Sequence, residues 1–214
     1  MVTNSSIPSL PVTSPSGALP VMERFYTLQG EGFHQGKAAY FIRLGGCDVG
    51  CVWCDVKDSW DASQHPVETI EKIAEDAAVF TSRIAVITGG EPFMHNLTGL
   101  TSELRNRGFR NHVETSGAYE ISGSWDWVCL SPKKFKPAKE SVVAVCDELK
   151  VIVFHPSDID WAKTFIPKVK KDCKLFLQPE WSRQEEMLPL IISFVKENPE
   201  WEISLQIHKF MNIP

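Results

Sequence analysis

Short apolar runs of strand length alternate along the chain with segments whose apolar residues recur every three or four positions, the pattern of strands interleaved with covering helices. Residues 38–44 predict a strand in which Tyr40, Ile42 and Leu44 share one face and Phe41 and Arg43 the other. Residues 66–80 predict a helix, with Pro66 in the first turn and Val67, Ile70, Ile73 and Ala77 at helical spacing. Residues 83–88 predict a strand that breaks at Gly89-Gly90, and 97–107 a helix stopped by Gly108. Strands follow at 111–115, 127–130, 148–154 and 174–178, with a short helix at 158–165. Residues 183–197 read as a helix that Pro189 starts late or kinks. Residues 202–208 read as a last strand, with Ile203, Leu205 and Ile207 opposite Ser204, Gln206 and His208.

This alternation predicts an α/β fold with a parallel sheet under helices, an incomplete (partial) α/β barrel of about six strands rather than the closed eightfold one. Strands of a parallel sheet are buried on both faces, so polar residues within them need a reason. Arg43 in such a strand must meet an anion or incur a large desolvation cost. A polar lumen holding a charged ligand explains these faces; edge strands open to water are the other explanation.

The chain has 214 residues, 43% hydrophobic and 23% charged, as expected of one soluble globular domain. Residues 1–20 are rich in Ser and Pro and carry no charged side chain; they are expected to form a disordered tail, leaving 21–214 as a single catalytic domain. A net charge of −5 argues against general nucleic-acid binding. No apolar run approaches the length of a membrane span, and the N-terminus lacks the basic and apolar regions of a secretory signal. Of the six cysteines, Cys129, Cys146 and Cys173 lie singly in apolar stretches and read as buried free thiols of a reduced, cytoplasmic protein.

The other three, Cys47, Cys51 and Cys54, stand at C-x3-C-x2-C spacing with Trp53 before the last. Three thiolates are one too few for a closed metal site. On a four-iron cluster they leave one iron open for a small molecule. A structural zinc with His34 or His65 as fourth ligand is the competing reading, although zinc motifs usually supply ligands in two close pairs and no second pair exists here. Gly89-Gly90-Glu91-Pro92, Ser131-Pro132-Lys133 and Gln178-Pro179 each end a predicted strand, where α/β folds bind ligands. Paired glycines at such an end let backbone approach a ligand closely. Lys133 on a plain solvated loop remains the alternative for its motif. Glu114 sits in a short strand, where its carboxylate can take two N–H donors from a guanidine-like ring edge or simply face water from an edge strand. His208 stands out only by its place on the polar face of the predicted last strand.

The three-cysteine loop followed by Gly-Gly-Glu-Pro resembles the radical S-adenosylmethionine (SAM) superfamily. In order along the chain come Thr27-Leu28-Gln29-Gly30-Glu31-Gly32, Phe41-Ile42-Arg43-Leu44, Cys54-Asp55, Thr88-Gly89-Gly90-Glu91-Pro92, Glu114-Thr115-Ser116-Gly117, Ser131-Pro132-Lys133 and His208-Lys209-Phe210-Met211-Asn212-Ile213-Pro214. Together, from about Met22 to Pro214, these resemble the 7-carboxy-7-deazaguanine synthases of queuosine and 7-deazapurine biosynthesis, a tRNA modification pathway. The resemblance implies a lyase that converts 6-carboxy-5,6,7,8-tetrahydropterin to 7-carboxy-7-deazaguanine with loss of ammonia. It implies a 4Fe-4S cluster on Cys47, Cys51 and Cys54. It implies SAM held by Gly90, Ser131, Pro132, Lys133, Gln178 and Pro179, and the pterin held by Leu28, Gln29, Gly30, Arg43, Thr88, Glu114, His208 and Pro214. Arg43 suits the pterin carboxylate, and the terminal carboxylate of Pro214, six residues beyond His208, is expected to reach the same lumen. No side chain is implied as the reacting group. An electron donor such as flavodoxin or ferredoxin and a homodimer are implied as partners. Relatives commonly carry Thr or Ser two residues after the third cysteine as a Mg²⁺ ligand; here that residue is Val56, which leaves the use of Mg²⁺ open. Another radical SAM enzyme, such as a glycyl-radical activase, would share the cysteines and the Gly-Gly-Glu-Pro turn but has no reason to end in this sequence.

Overall fold

A computed structural model describes residues 17–214. Nine strands form one sheet in the order β3-β1-β2-β4-β5-β6-β7-β8-β9. From β2 (Ala38–Leu44) through β4 (Ile84–Gly89), β5 (Arg110–Thr115), β6 (Trp127–Leu130), β7 (Glu148–Val153), β8 (Lys174–Pro179) and β9 (Trp201–Ile203) every neighbouring pair is parallel. The sheet is not closed, as expected of a partial barrel; its parallel part has seven strands, against about six expected, and two further strands make nine. The two extra strands, β1 (Ala18–Leu28) and β3 (Val67–Thr69), are antiparallel and extend the β2 edge.

Both extra strands lie where the apolar pattern misled. Residues 18–20, expected in the tail, pair with 67–69, expected in a helix. Leu19 and Val21 are buried in the main core, which is what draws this segment into the sheet. The helix α1 therefore begins only at Ile70 and runs to Ala78, with the Thr69 hydroxyl capping the Lys72 N–H at 3.3 Å. The expected tail residues 1–16 lie outside the described residues.

Helices α1, α2 (Thr98–Asn106), α3 (Glu140–Val143), α4 (Ser157–Lys163) and α5 (Gln184–Glu197) have buried residues such as Ile73, Leu100, Val142, Ala162 and Met187 in one core with the sheet. That core takes Tyr40, Ile42 and Leu44 from β2, Val113 from β5, Leu149, Val151 and Val153 from β7 and Leu177 from β8. The alternate residues of the same strands face the lumen. Pro189 is accommodated inside α5. Among the described residues no helix is long and apolar enough to cross a membrane.

The expected strand at 202–208 is also corrected. β9 stops at Ile203, and Ile207–Met211 is a short helix, α6. Two side-chain and backbone bonds explain the break. The Ser204 hydroxyl turns inward to Gln178 at 2.6 Å, and the Ile207 N–H leaves the ladder for the Gly30 carbonyl at 3.0 Å.

Candidate active site

A cavity of about 510 Å³ opens at the C-terminal ends of the parallel strands. Its floor is the β1–β2 connection, 29–37, which crosses the lumen from the opposite end. There the Gly32 N–H donates to the Ser204 hydroxyl at 2.9 Å, and Phe33 stacks on Trp127 with ring centres 4.9 Å apart. Gly30 has to be glycine: a Cβ there would lie 2.2 Å from His208 Nδ1.

The lumen wall comes from single residues of successive strands: Arg43 of β2, Thr88 of β4, Glu114 of β5, Lys150 of β7 and Gln178 of β8. Lys150 and Gln178 are almost wholly buried. The Lys150 ammonium meets Glu31 at 2.5 Å and Glu114 at 2.8 Å. Gln29 adds a hydrogen bond to Glu114 at 2.9 Å, and Gln206 one to Glu31 at 2.8 Å. Burial disfavours the Lys150 ammonium, but Cys129, Glu114 and Glu31 around it outweigh that and hold its pKa well above the usual lysine range. Burial likewise works against the Glu31 carboxylate, and Lys150 overrides it to hold Glu31 below the usual range. Glu114 is thus no exposed edge residue: β5 is an interior strand and its carboxylate is held on two sides.

Arg43 does find an anion within the protein. Its Nε donates to Glu23 of β1 at 2.6 Å, and its guanidinium lies 5.7 Å from the centre of the Phe25 ring. Both Arg43 and Phe25 line the cavity.

The three cysteines follow β2 on a loop pinned at both ends. Cys47 N–H donates to Trp60 O at 3.0 Å, and Asp48 accepts from Tyr119 and Lys136, each at 2.5 Å. Cys47, Cys51 and Cys54 gather in a small apolar cluster with Val49, Trp53 and Ala118. Burial pushes the Cys47 thiol up to about 11 and also raises that of Cys51. Three soft sulfur donors on one short loop, in apolar surroundings at a cavity wall, suit an iron–sulfur cluster. The zinc alternative lacks its fourth ligand. His34 packs 4.5 Å from the His112 ring beneath the floor, and His65 bonds to Asp58 O at 2.8 Å; neither lines the cavity.

The Gly89-Gly90 turn runs directly against this loop. A Cβ on Gly90 would sit 2.1 Å from Gly46 O, and the Glu91 N–H donates to that same oxygen at 2.9 Å. The Glu91 carboxylate is buried and turned to the end of β5, where it takes the Thr115 hydroxyl at 2.6 Å and the Ser116 N–H at 2.8 Å. Lys133 is half-buried, donating to the Ser131 hydroxyl at 2.9 Å with its ammonium 5.5 Å from the centre of the Trp53 ring; it is not a solvated loop lysine. Burial lowers its pKa.

One cavity therefore brings together the cysteines, Leu28, Gln29, Gly30, Arg43, Thr88, Gly90, Glu114, Ser131, Lys133, Gln178, Pro179, His208 and Pro214. Pro132 is buried beside it and does not line it. Sequence reasoning missed Glu31 and Lys150 as cavity residues; Gln206, expected on the polar face of a last strand, does line the cavity, from the turn before α6. A signal existed for Lys150: in β7 it alternates with the apolar Leu149 and Val151, the same split noticed in β2.

The radical SAM superfamily matches residues 41–141. The chain is 52% identical over 196 residues to the 7-carboxy-7-deazaguanine synthase of Flavobacterium psychrophilum, covering 92% of this chain and 93% of that one. It is 43% identical to the 7-carboxy-7-deazaguanine synthase of Synechocystis, covering 91% and 93%. Among solved structures, the crystal structure of QueE from Escherichia coli matches with a TM-score of 0.79 at 31% identity, over 88% of this chain and 94% of that one.

Proposed function

This chain belongs to the 7-carboxy-7-deazaguanine synthases, a family of radical SAM enzymes, and from that membership we propose that it turns 6-carboxy-5,6,7,8-tetrahydropterin into 7-carboxy-7-deazaguanine with loss of ammonia. The observation that carries the reading is the convergence of the cysteine loop, the Gly89-Gly90 turn and the charged wall of Arg43, Glu114 and Lys150 on one cavity. A glycyl-radical activase is not favoured, since the resemblance to the synthases runs over nine-tenths of the chain.

In this reading Cys47, Cys51 and Cys54 would hold a 4Fe-4S cluster, and Gly90, Ser131, Lys133, Gln178 and Pro179 would hold SAM, with the buried Pro132 fixing the turn between Ser131 and Lys133. Bound together, the cluster and SAM would supply one-electron, radical chemistry beside the pterin. The protein's own residues bind, orient and keep out water. Leu28, Gln29, Gly30 and His208 cradle the ring, with Thr88 and Pro214 beside them. The Glu114 carboxylate, braced by Lys150, presents acceptor oxygens to the N–H groups of the pterin edge. Arg43 exchanges Glu23 for the pterin carboxylate, which a guanidinium can hold by two parallel hydrogen bonds. Glu31 and Gln206 keep the Lys150 ammonium in place from below.

Mg²⁺ fits this chain poorly at the usual position. Val56 lines the cavity but offers no oxygen, and hard Mg²⁺ requires oxygen ligands; no step here depends on it. The reading also includes a one-electron donor such as flavodoxin or ferredoxin, a homodimer and a cytoplasmic setting, all supported by the family resemblance. The test is anaerobic incubation with SAM, a reductant and the carboxytetrahydropterin. Formation of the deazaguanine with release of ammonia is expected, and SAM cleavage without that product would refute the assignment.

A further inference from the structure

We propose that Cys146 and Cys173 are a redox-active thiol pair that closes to a disulfide by exchange with low-molecular-weight disulfides. They do not lie singly, as their sequence settings suggest. Cys146 ends the turn before β7 and Cys173 the turn before β8, and these strands are parallel neighbours with Glu148 opposite Lys174. The Asp147 carbonyl accepts the Lys174 N–H at 2.8 Å, and the two sulfurs stand 3.7 Å apart. Cys146 is one residue out of register with Cys173, which is level with Asp147, so strands about 4.8 Å apart with a rise of about 3.3 Å per residue put the two Cα atoms about 5.8 Å apart, within the about 4.4–6.8 Å that a disulfide requires. Side-chain rotation is enough to join them.

The two thiols are unequal in a way that gives each a role. Cys146 is fully buried, with its Sγ 3.3 Å from the Val143 carbonyl. Cys173 is only half-buried and so can be reached from solvent. Lys170 stands near Cys173 and favours its thiolate, whereas Cys146 has only buried, apolar surroundings and the Val143 carbonyl. Cys173 is therefore the attacking sulfur and Cys146 the resolving one. The Cys173 thiolate attacks one sulfur of the reagent, whose S–S bond breaks and releases one thiolate. Cys146 then gives up its proton and attacks the Cys173 sulfur; the protein S–S bond forms and the second reagent thiolate leaves. Two protein thiols are oxidised and the reagent is reduced to two thiols. The pair lies at the N-terminal ends of its strands, away from Cys47, Cys51 and Cys54 on the cavity side, so closure leaves those three free.

The experiment treats anaerobically purified, iron-loaded protein with cystamine, then alkylates the remaining thiols in denaturant and maps them by mass spectrometry. The expected product is a Cys146–Cys173 cross-linked peptide, with two cysteamines released per chain and iron content unchanged. The melting midpoint of the oxidised protein should rise on the order of 5 °C. Cys146→Ser should trap cysteamine on Cys173, and Cys173→Ser should leave Cys146 unreacted. Wild-type protein in which neither cysteine reacts, in which cysteamine stays attached, or in which the link forms to another cysteine overturns the proposal.

Discussion

Lys150 and Glu114 meet at 2.8 Å inside the lumen, with only 3% of the lysine side chain exposed. The pair spans β7 and β5 across β6 and brings Glu31 of the floor loop into the same network. Removing one partner of a buried ion pair strands the other, typically at about 3–5 kcal/mol. Lys150→Met should therefore lower the urea midpoint sharply. Glu114→Gln should not, because Glu31 still neutralises Lys150, yet pterin turnover should fall tenfold or more. Parallel urea melts and turnover assays separate the two effects; a Glu114→Gln enzyme with normal turnover would make Glu114 a brace and no more.

Cys47→Ala, Cys51→Ala and Cys54→Ala should each fold. The loop is held mainly by bonds outside the cysteine side chains, from Gly46 to Ser59, Cys47 N–H to Trp60 and Asp48 to Lys136. Each variant should lose bound iron and reductive SAM cleavage, while wild type binds about four irons per chain. Iron analysis and circular dichroism on the same preparations check this. Full iron content in any one of them would remove that cysteine from the ligand set.

Arg43→Ala should spare the iron and SAM binding but lower pterin turnover roughly a hundredfold, the range for losing a buried charged pair of about 2–5 kcal/mol. Its ion pair with Glu23 is partly exposed and contributes little to stability. Steady-state kinetics with a decarboxylated pterin analogue provide the control. If Arg43 serves the carboxylate, the variant and wild type should handle that analogue alike.

Val56→Thr should create Mg²⁺ dependence or strengthen it, by placing a hydroxyl at the cavity wall where a methyl now stands. Turnover against Mg²⁺ after chelator treatment gives the comparison. A strict requirement in the parent that the variant leaves unchanged contradicts the reading of this position.

His112 should make the fold acid-sensitive above the carboxylate range. It is 3% exposed, its Nε2 has no partner among the described residues, and burial, followed by the neighbouring His34, pushes its pKa down to about 3 from 6.5. Between those values the unfolded chain binds a proton that the folded chain does not. Stability is then complete above pH 6.5 and falls as pH drops through this window, by up to about 1.4 kcal/mol per pH unit. Urea melts from pH 7 to 5 should show that slope, and His112→Asn should reduce it, leaving the shares of His34 and His95, which burial also lowers. Glu31 acts separately and lower, since its depressed pKa costs stability only as pH falls below 4.5 toward about 2.

Much of the protein could be read locally. At 38–44 the two faces could be assigned from sequence, because a parallel strand buried on both sides reads as apolar throughout and a lone Arg43 within it marks the side that meets a polar lumen. The cysteine spacing, the paired glycines at a strand end and the Ser-Pro-Lys turn carry their chemistry within a few residues of one another. These motifs, taken in order, were enough to recognise the family.

Other features depend on partners far along the chain. The same two-residue period at 202–208 suggested a strand, but Ser204 is turned to Gln178 and Ile207 to Gly30, and neither competitor can be seen from the local pattern. Residues 18–20 joined the sheet because 67–69 offered an edge. Lys150 became part of the site through carboxylates at Glu31 and Glu114, 119 and 36 residues away, and Cys146 met Cys173 because β7 and β8 lie side by side. Local sequence determines which backbone state and which chemistry a segment favours. Which distant charge or thiol it meets is decided by strand order and register, where burial leaves an unpaired polar group too costly to keep.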